Sequence, residues 1–171
     1  MTHTIFNVQL LVMKRNVVVT LECFVKKGNK YLMLHRNPTK RIMPDIWMAP
    51  GGHREFNEGL FTCAHREVLE ETGLQIKNLR IKATGNAFVK DIDQEFFFHM
   101  LVADYAGGDL KTSESDGSFE WLTKKEILQL PKLLPELKHI LPHVLSNKKN
   151  AISYTAYYET GTEMTSFTLE E

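Results

Sequence analysis

Residues 51–74 read GGHREFNEGLFTCAHREVLEETGL, two glycines leading into a run of mixed apolar and charged residues. From Leu60 to Thr72 there is no Pro or Gly, and Leu60, Phe61, Ala64, Val68 and Leu69 recur among charges, which predicts a helix. At about 100° per residue, Phe61, Ala64, Val68 and Thr72 form one stripe suited to packing on a core. Glu67, Glu70 and Glu71 fall at i, i+3 and i+4 on a neighbouring stripe. Like charges at that spacing repel. The repulsion asks for an offset, which a hard divalent cation with oxygen ligands would supply. Gly51 and Gly52 allow the backbone to approach a ligand closely, and Gly73 is placed to cap the helix C-terminus.

A Glu-rich turn alone is usually a solvated face. This stretch carries more fixed positions than that. Gly52, Glu58, Arg66, Glu67, Val68, Glu70, Glu71, Gly73 and Leu74 resemble the Nudix box, G-x5-E-x7-R-E-U-x-E-E-x-G-U with U a bulky aliphatic residue. Phe56-Asn57 stands where most members of that family have Pro-Gly, outside the defining pattern. The resemblance implies an α+β chain with the Nudix fold: an α/β/α sandwich with a mixed β-sheet, the box forming a loop–helix–loop. It also implies that Glu67, Glu70, Glu71 and the carbonyl of Gly52 hold Mg²⁺, with Mn²⁺ as a substitute. By the same resemblance Arg66 braces the catalytic glutamates, and Glu58 is a structural or outer-shell acid. A bidentate guanidinium suits the bracing task. Glu67 is the first choice of general base, with Glu95, Glu114, Asp116 and Glu120 as alternatives. His35, His53, His65 and His99 are read as structural.

The 171 residues suit a single domain over 1–171, large enough to bury a proper core. The formal net charge is zero, which gives no electrostatic argument for a nucleic-acid polymer or a membrane surface. The two cysteines, Cys23 and Cys63, lack metal spacing and are expected as buried thiols. No apolar run approaches a membrane span, and the first sixteen residues have no basic leader before an apolar core. A reduced, cytoplasmic setting and a monomer or homodimer are the expectations.

Along the chain, Ile5–Met13 is expected as a short strand. Val17–Val25 and Tyr31–His35 predict a hairpin about Lys27-Gly28-Asn29. Arg36–Met43 is a polar loop whose Arg36, Lys40 and Arg41 are candidate phosphate contacts. A short strand with Trp47 then delivers the box. Strands are expected at Leu79–Lys90, Glu95–Tyr105 and Ser118–Leu122. Thr123 with Glu126 predicts a capping box and a helix to about Leu130. A second helix is expected over Pro135–Ser146, limited by Pro142, then a closing hairpin of Ile152–Tyr158 and Met164–Leu169.

The C-terminal part, from SESDGSFEWLTKKEILQLP to SFTLEE, resembles MutT-type 8-oxo-dGTP diphosphatases. That resemblance implies hydrolysis of a purine nucleoside triphosphate to monophosphate and pyrophosphate, a step that cleans the nucleotide pool. It points to Phe24, Trp121, Leu134 and Glu136 as contacts to the base. Leu134-Pro135-Glu136-Leu137 stands where the mammalian-type enzymes have Trp-Pro-Asp-Asp, so purine recognition departs from their pattern there. Hydrolysis of ADP-ribose or a dinucleoside polyphosphate, and a non-catalytic nucleotide-sensing module, are the alternative readings.

Overall fold

A computed structural model describes residues 16–111 and 116–170. The strand expected at Ile5–Met13 and the candidate base Glu114 lie outside the described residues.

The centre of the molecule is an eight-stranded mixed sheet. β1 (Val17–Lys27) and β2 (Lys30–Arg36) form the expected hairpin, turning at Gly28 with φ of 64°. β1 then pairs parallel to β5 (Gln94–Gly107), which pairs antiparallel to β4 (Gln75–Val89). β4 pairs parallel to β7 (Ile152–Thr160), and β8 (Glu163–Glu170) closes that edge. On the other side, β2 pairs with both β3 (Trp47–Met48) and β6 (Gly117–Thr123). The β-branched and aromatic content of β1, β4 and β5 suits this pleated, two-faced surface.

Two apolar clusters cover the two faces. β1 shows how the chain serves both, because successive side chains alternate. Leu21, Cys23 and Val25 join Cys63, Ala64 and Val68 of α1 (Leu60–Thr72). Phe24 faces the other way, into the cluster with Ile127 of α2 (Lys124–Ile127) and Leu137, Ile140, Leu141 and Val144 of α3 (Leu137–Val144). The result is helix, sheet, helix, as expected. Burial of a side chain such as Val68, fully enclosed, contributes about 1.5–3 kcal/mol.

α1 runs over the expected residues and ends at Gly73, whose φ of 75° lets its N–H reach the Leu69 carbonyl. Its packed face is wider than the expected stripe on the Cys63 side, and Phe61, which falls within the arc but in the first turn, does not share in it. Phe61 is 47% exposed, while Cys63 is fully buried with Ala64, Val68 and Thr72. The packed arc therefore spans about 180°, from Thr72 to Cys63, and Glu67 and Glu71 lie within it. Thr123 and Glu126 form the expected capping box, but α2 stops at Ile127. Gln129 and Leu130 take tighter bonds three residues back, to Glu126 and Ile127, and end the helix early. α3 starts two residues after Pro135 and tolerates Pro142 inside it.

Candidate active site

Arg66 is the hub of the acidic face of α1. Its Nε and Nη2 each donate at 2.9 Å to the two oxygens of Glu58, a bidentate fork. Its Nη1 reaches Glu67 at 2.8 Å and Glu70 at 3.3 Å, and Nη2 also reaches the His53 carbonyl at 3.1 Å. The guanidinium thus offsets part of the glutamate repulsion, at Glu67 and Glu70. The fork holds the Glu58 carboxyl well down, at about 2. Glu58 also accepts the Glu55 N–H at 3.0 Å, closing a turn in which Asn57 takes φ of 59°. Asn tolerates that left-handed conformation better than most residues, and so serves where relatives of the box use glycine.

The loop before α1 packs directly on its acids. A Cβ on Gly52 would lie 2.5 Å from the Glu67 carboxyl carbon, so only glycine leaves room for that side chain. The Gly51 N–H donates to Glu71 Oε2 at 3.0 Å. The Gly52 carbonyl, expected to hold a metal, is already engaged. It accepts the Leu21 N–H at 3.0 Å and the Thr20 hydroxyl at 2.9 Å, which occupies both lone pairs. Burial pushes the Glu71 carboxyl up to about 7, with the Gly51 N–H opposing and the nearby Glu67 and Asp116 charges reinforcing. Glu70 is the outlying acid of the three, its side chain 61% exposed.

The donor set of Glu67, Glu70 and Glu71 is all oxygen and suits a hard cation such as Mg²⁺. In the observed rotamers the carboxylates are not gathered. Among the described residues no three Asp, Glu, His or Cys side chains converge at a metal-binding distance. Arg66 holds Glu67 and Glu70 on one side, and Gly51 holds Glu71 on the other.

Beside Gly51 and Gly52 a cavity opens, walled by Thr20, Glu22, Arg36, Met48, Phe96 and Phe98. A second cavity continues from it past Met43 and Phe96 to Arg41 and Thr160–Thr162. The three loop cations separate. Arg36 lines the first cavity and lowers the Glu71 pKa, so its charge reaches the acids. Lys40 binds Asp116 at 2.7 Å, and Arg41 lies on the second cavity. Of the alternative bases within the described residues, Asp116 is the one whose charge acts on Glu71. Glu120 is exposed on β6, and Glu95 sits at the start of β5 beside Val17.

The expected base contacts do not meet at this site. Phe24 and Leu134 are fully buried core residues. Trp121 packs on the α1 face, edge-on to Tyr105 with Lys27 over its ring. Glu136 is enclosed and bonded by the Tyr158 hydroxyl. The cavity is walled instead by Phe96, Phe98, Met48 and Glu22, which the sequence reading did not single out. A signal for Glu22 was present: it is the one charged residue in VVVTLECFV, and alternation puts it on the face of Thr20 and Phe24. His35 bonds Asp45 at 2.9 Å and stacks on Trp47, as a structural residue would.

The NUDIX domain family matches residues 13–144. The uncharacterized Nudix hydrolase YvcI of Bacillus subtilis is 31% identical over 144 residues, 80% of this chain and 87% of that protein. The NAD-capped RNA hydrolase NudC of Chromobacterium violaceum is 33% identical over 93 residues, 54% of this chain but 32% of that protein. An m7GpppN-mRNA hydrolase of Danio rerio is 38% identical over 65 residues, 37% of this chain and 22% of that protein. Among solved structures, the Mutator MutT protein from Bacillus halodurans superposes with a TM-score of 0.77 at 27% identity, covering 89% of this chain and 97% of that one.

Proposed function

The chain belongs to the NUDIX family and is a hydrolase of pyrophosphate bonds in nucleotide-type substrates, and from that premise we propose that it cuts a nucleoside triphosphate between the α- and β-phosphates. The products are a nucleoside monophosphate and pyrophosphate. The observation that carries this reading is the meeting of the α1 acids with the Gly51–Gly52 backbone at the mouth of an aromatic-walled cavity. Phosphates at the acids and a base in the cavity match a nucleotide's two chemical halves.

Glu67, Glu70 and Glu71 would hold Mg²⁺, or Mn²⁺ in its place. The Gly51 carbonyl is the backbone oxygen we assign to that set, since Gly52 is engaged by Thr20 and Leu21. When bound, the cation neutralises phosphate oxygens and makes a coordinated water more acidic. This chain's own residues do the rest. Arg66 fixes the Glu67 carboxylate, which takes a proton from the attacking water. Arg36, on the cavity wall, binds a phosphate oxygen and counters its charge. Phe96 and Phe98, on the cavity wall, offer faces to a base.

The resemblance to MutT-type enzymes makes 8-oxo-dGTP the first candidate among purine triphosphates. A second reading is hydrolysis at an RNA 5′ end, because two of the relatives are named for capped-RNA substrates. A hydrolysis screen with product identification separates them. It should include 8-oxo-dGTP, the four standard dNTPs, ADP-ribose, diadenosine polyphosphate and NAD- and m7G-capped oligonucleotides. Release of pyrophosphate from a triphosphate with the highest kcat/KM supports the proposal. A lead for a capped RNA, ADP-ribose or a dinucleotide, or release of single phosphate, overturns it.

A further inference from the structure

The wall of the first cavity carries a carboxyl that the protein only half satisfies. Glu22 lies on β1 two residues beyond Thr20, on the same face. It is 1% exposed and its Oε2 accepts the Ala49 N–H at 2.9 Å. Its Oε1 is buried and has no hydrogen-bond partner among the described residues. Glu22 nevertheless lines the cavity with Thr20, Arg36, Met48, Phe96 and Phe98. Behind it stand Glu136 and Tyr154, each with a buried oxygen that likewise has no partner, and each close enough to act on Glu22 electrostatically. An unsatisfied buried carboxyl is costly to a fold. Where it borders a cavity, a ligand that completes its hydrogen bonding is the physical reason to keep it.

The shape of the wall narrows the choice of ligand. A phosphate finds its partner in Arg36 on the same cavity wall and gains nothing from a carboxyl that has another acid, Glu136, acting on it. A sugar hydroxyl has no flat surface to match the rings of Phe96 and Phe98. A nucleobase has both a planar face for the aromatics and a polar edge for the carboxyl. We propose that Glu22 is the residue that reads the polar edge of the substrate's base, through its Oε1. The inference rests on the nucleotide reading above and adds the specificity-determining residue to it. A site built to bond a polar edge rejects analogues lacking it far more strongly than an apolar pocket does.

The test uses binding without turnover, so that its result is independent of the hydrolysis screen. Kd values are measured calorimetrically in EDTA for GMP, AMP, CMP, UMP and ribose 5-phosphate. The wild type is compared with Glu22→Met, which keeps the length and removes the polar atoms. Wild type should favour one base over the weakest by about tenfold or more. Glu22→Met should flatten that ranking while leaving ribose 5-phosphate unchanged. The proposal is overturned if Glu22→Met keeps the wild-type ranking, or if no monophosphate binds wild type better than ribose 5-phosphate. Should Glu22→Met not fold, carboxyl ¹³C NMR of the wild type decides. The Glu22 resonance is assigned by its loss in Glu22→Gln, which keeps the acceptor for Ala49. The preferred monophosphate should move it and ribose 5-phosphate should not; an unmoved resonance overturns the proposal.

Discussion

Glu22→Gln should change how folding stability depends on pH. Burial, the largest cause, raises the Glu22 carboxyl from 4.5 to about 8, with the Ala49 N–H opposing and the Glu136 and Glu71 charges reinforcing. The unfolded chain releases this proton near pH 4.5, and the folded chain keeps it to about 8. Between those values the native state binds more protons, so unfolding free energy falls as pH rises. The stabilisation is complete below pH 4.5 and lost above about 8. The slope for one group is about 1.4 kcal/mol per pH unit, which accumulates to on the order of 5 kcal/mol across that window. Glutamine keeps an oxygen for the Ala49 N–H and carries no titrating proton. Any cost of its unbonded amide is constant with pH, on the order of 1–3 kcal/mol. Urea unfolding of both proteins in EDTA at pH 5, 6, 7 and 8 gives the difference directly. Glu71 and Glu136 add to the slope in both proteins and largely cancel. The variant should gain on the wild type by about 1.4 kcal/mol per pH unit. A difference independent of pH refutes the assignment of a buried, protonated Glu22.

Gly52→Ala should lower kcat by on the order of 100-fold with little change in Tm, because its Cβ would displace the Glu67 carboxyl 2.5 Å away; unchanged turnover refutes that packing. Glu70→Gln and Glu71→Gln should each lose at least about 100-fold in kcat, the upper end for groups one step removed from a metal, while circular dichroism stays that of the wild type. Near-normal turnover in either with saturating Mg²⁺ removes that residue from the proposed cation site. Millimolar Mg²⁺ should raise Tm and EDTA should return it, since a ligand at 100 times its Kd stabilises the native state by about 2.7 kcal/mol; a flat Tm with and without nucleotide counts against the site.

The elements that could be read in advance are those whose causes are local. α1 shows its helical period in thirteen consecutive residues and its stop at Gly73. The β1–β2 hairpin is marked by Gly28, and α2 by the reciprocal Thr123–Glu126 bonds. The three metal-candidate acids and Arg66 are likewise within one helix, where the i, i+4 spacing brings Arg66 beside Glu70. The cavity is different. Its walls come from β1, the end of β2 and the loop after it, β3, the segment Gly51–His53 and β5, and the register that sets Thr20 beside Phe98 and Glu22 beside Met100 is a long-range parallel pairing. No local pattern encodes that register, so Phe24 and Leu134, which carry aromatic or motif-like signals, were drawn to the pocket when packing puts both in the core. Glu22 shows what a physical reading can still recover. A carboxylate in a β-branched strand, on the face that alternation turns inward, must be partnered, neutralised or in use. Here one oxygen is partnered by Ala49, burial favours the neutral form, and the other oxygen is buried without a partner among the described residues, in a side chain that lines the cavity. Leucine at this position would leave the Ala49 N–H unpaired, so one carboxyl oxygen has a structural role, and the base proposed above would give the other its partner.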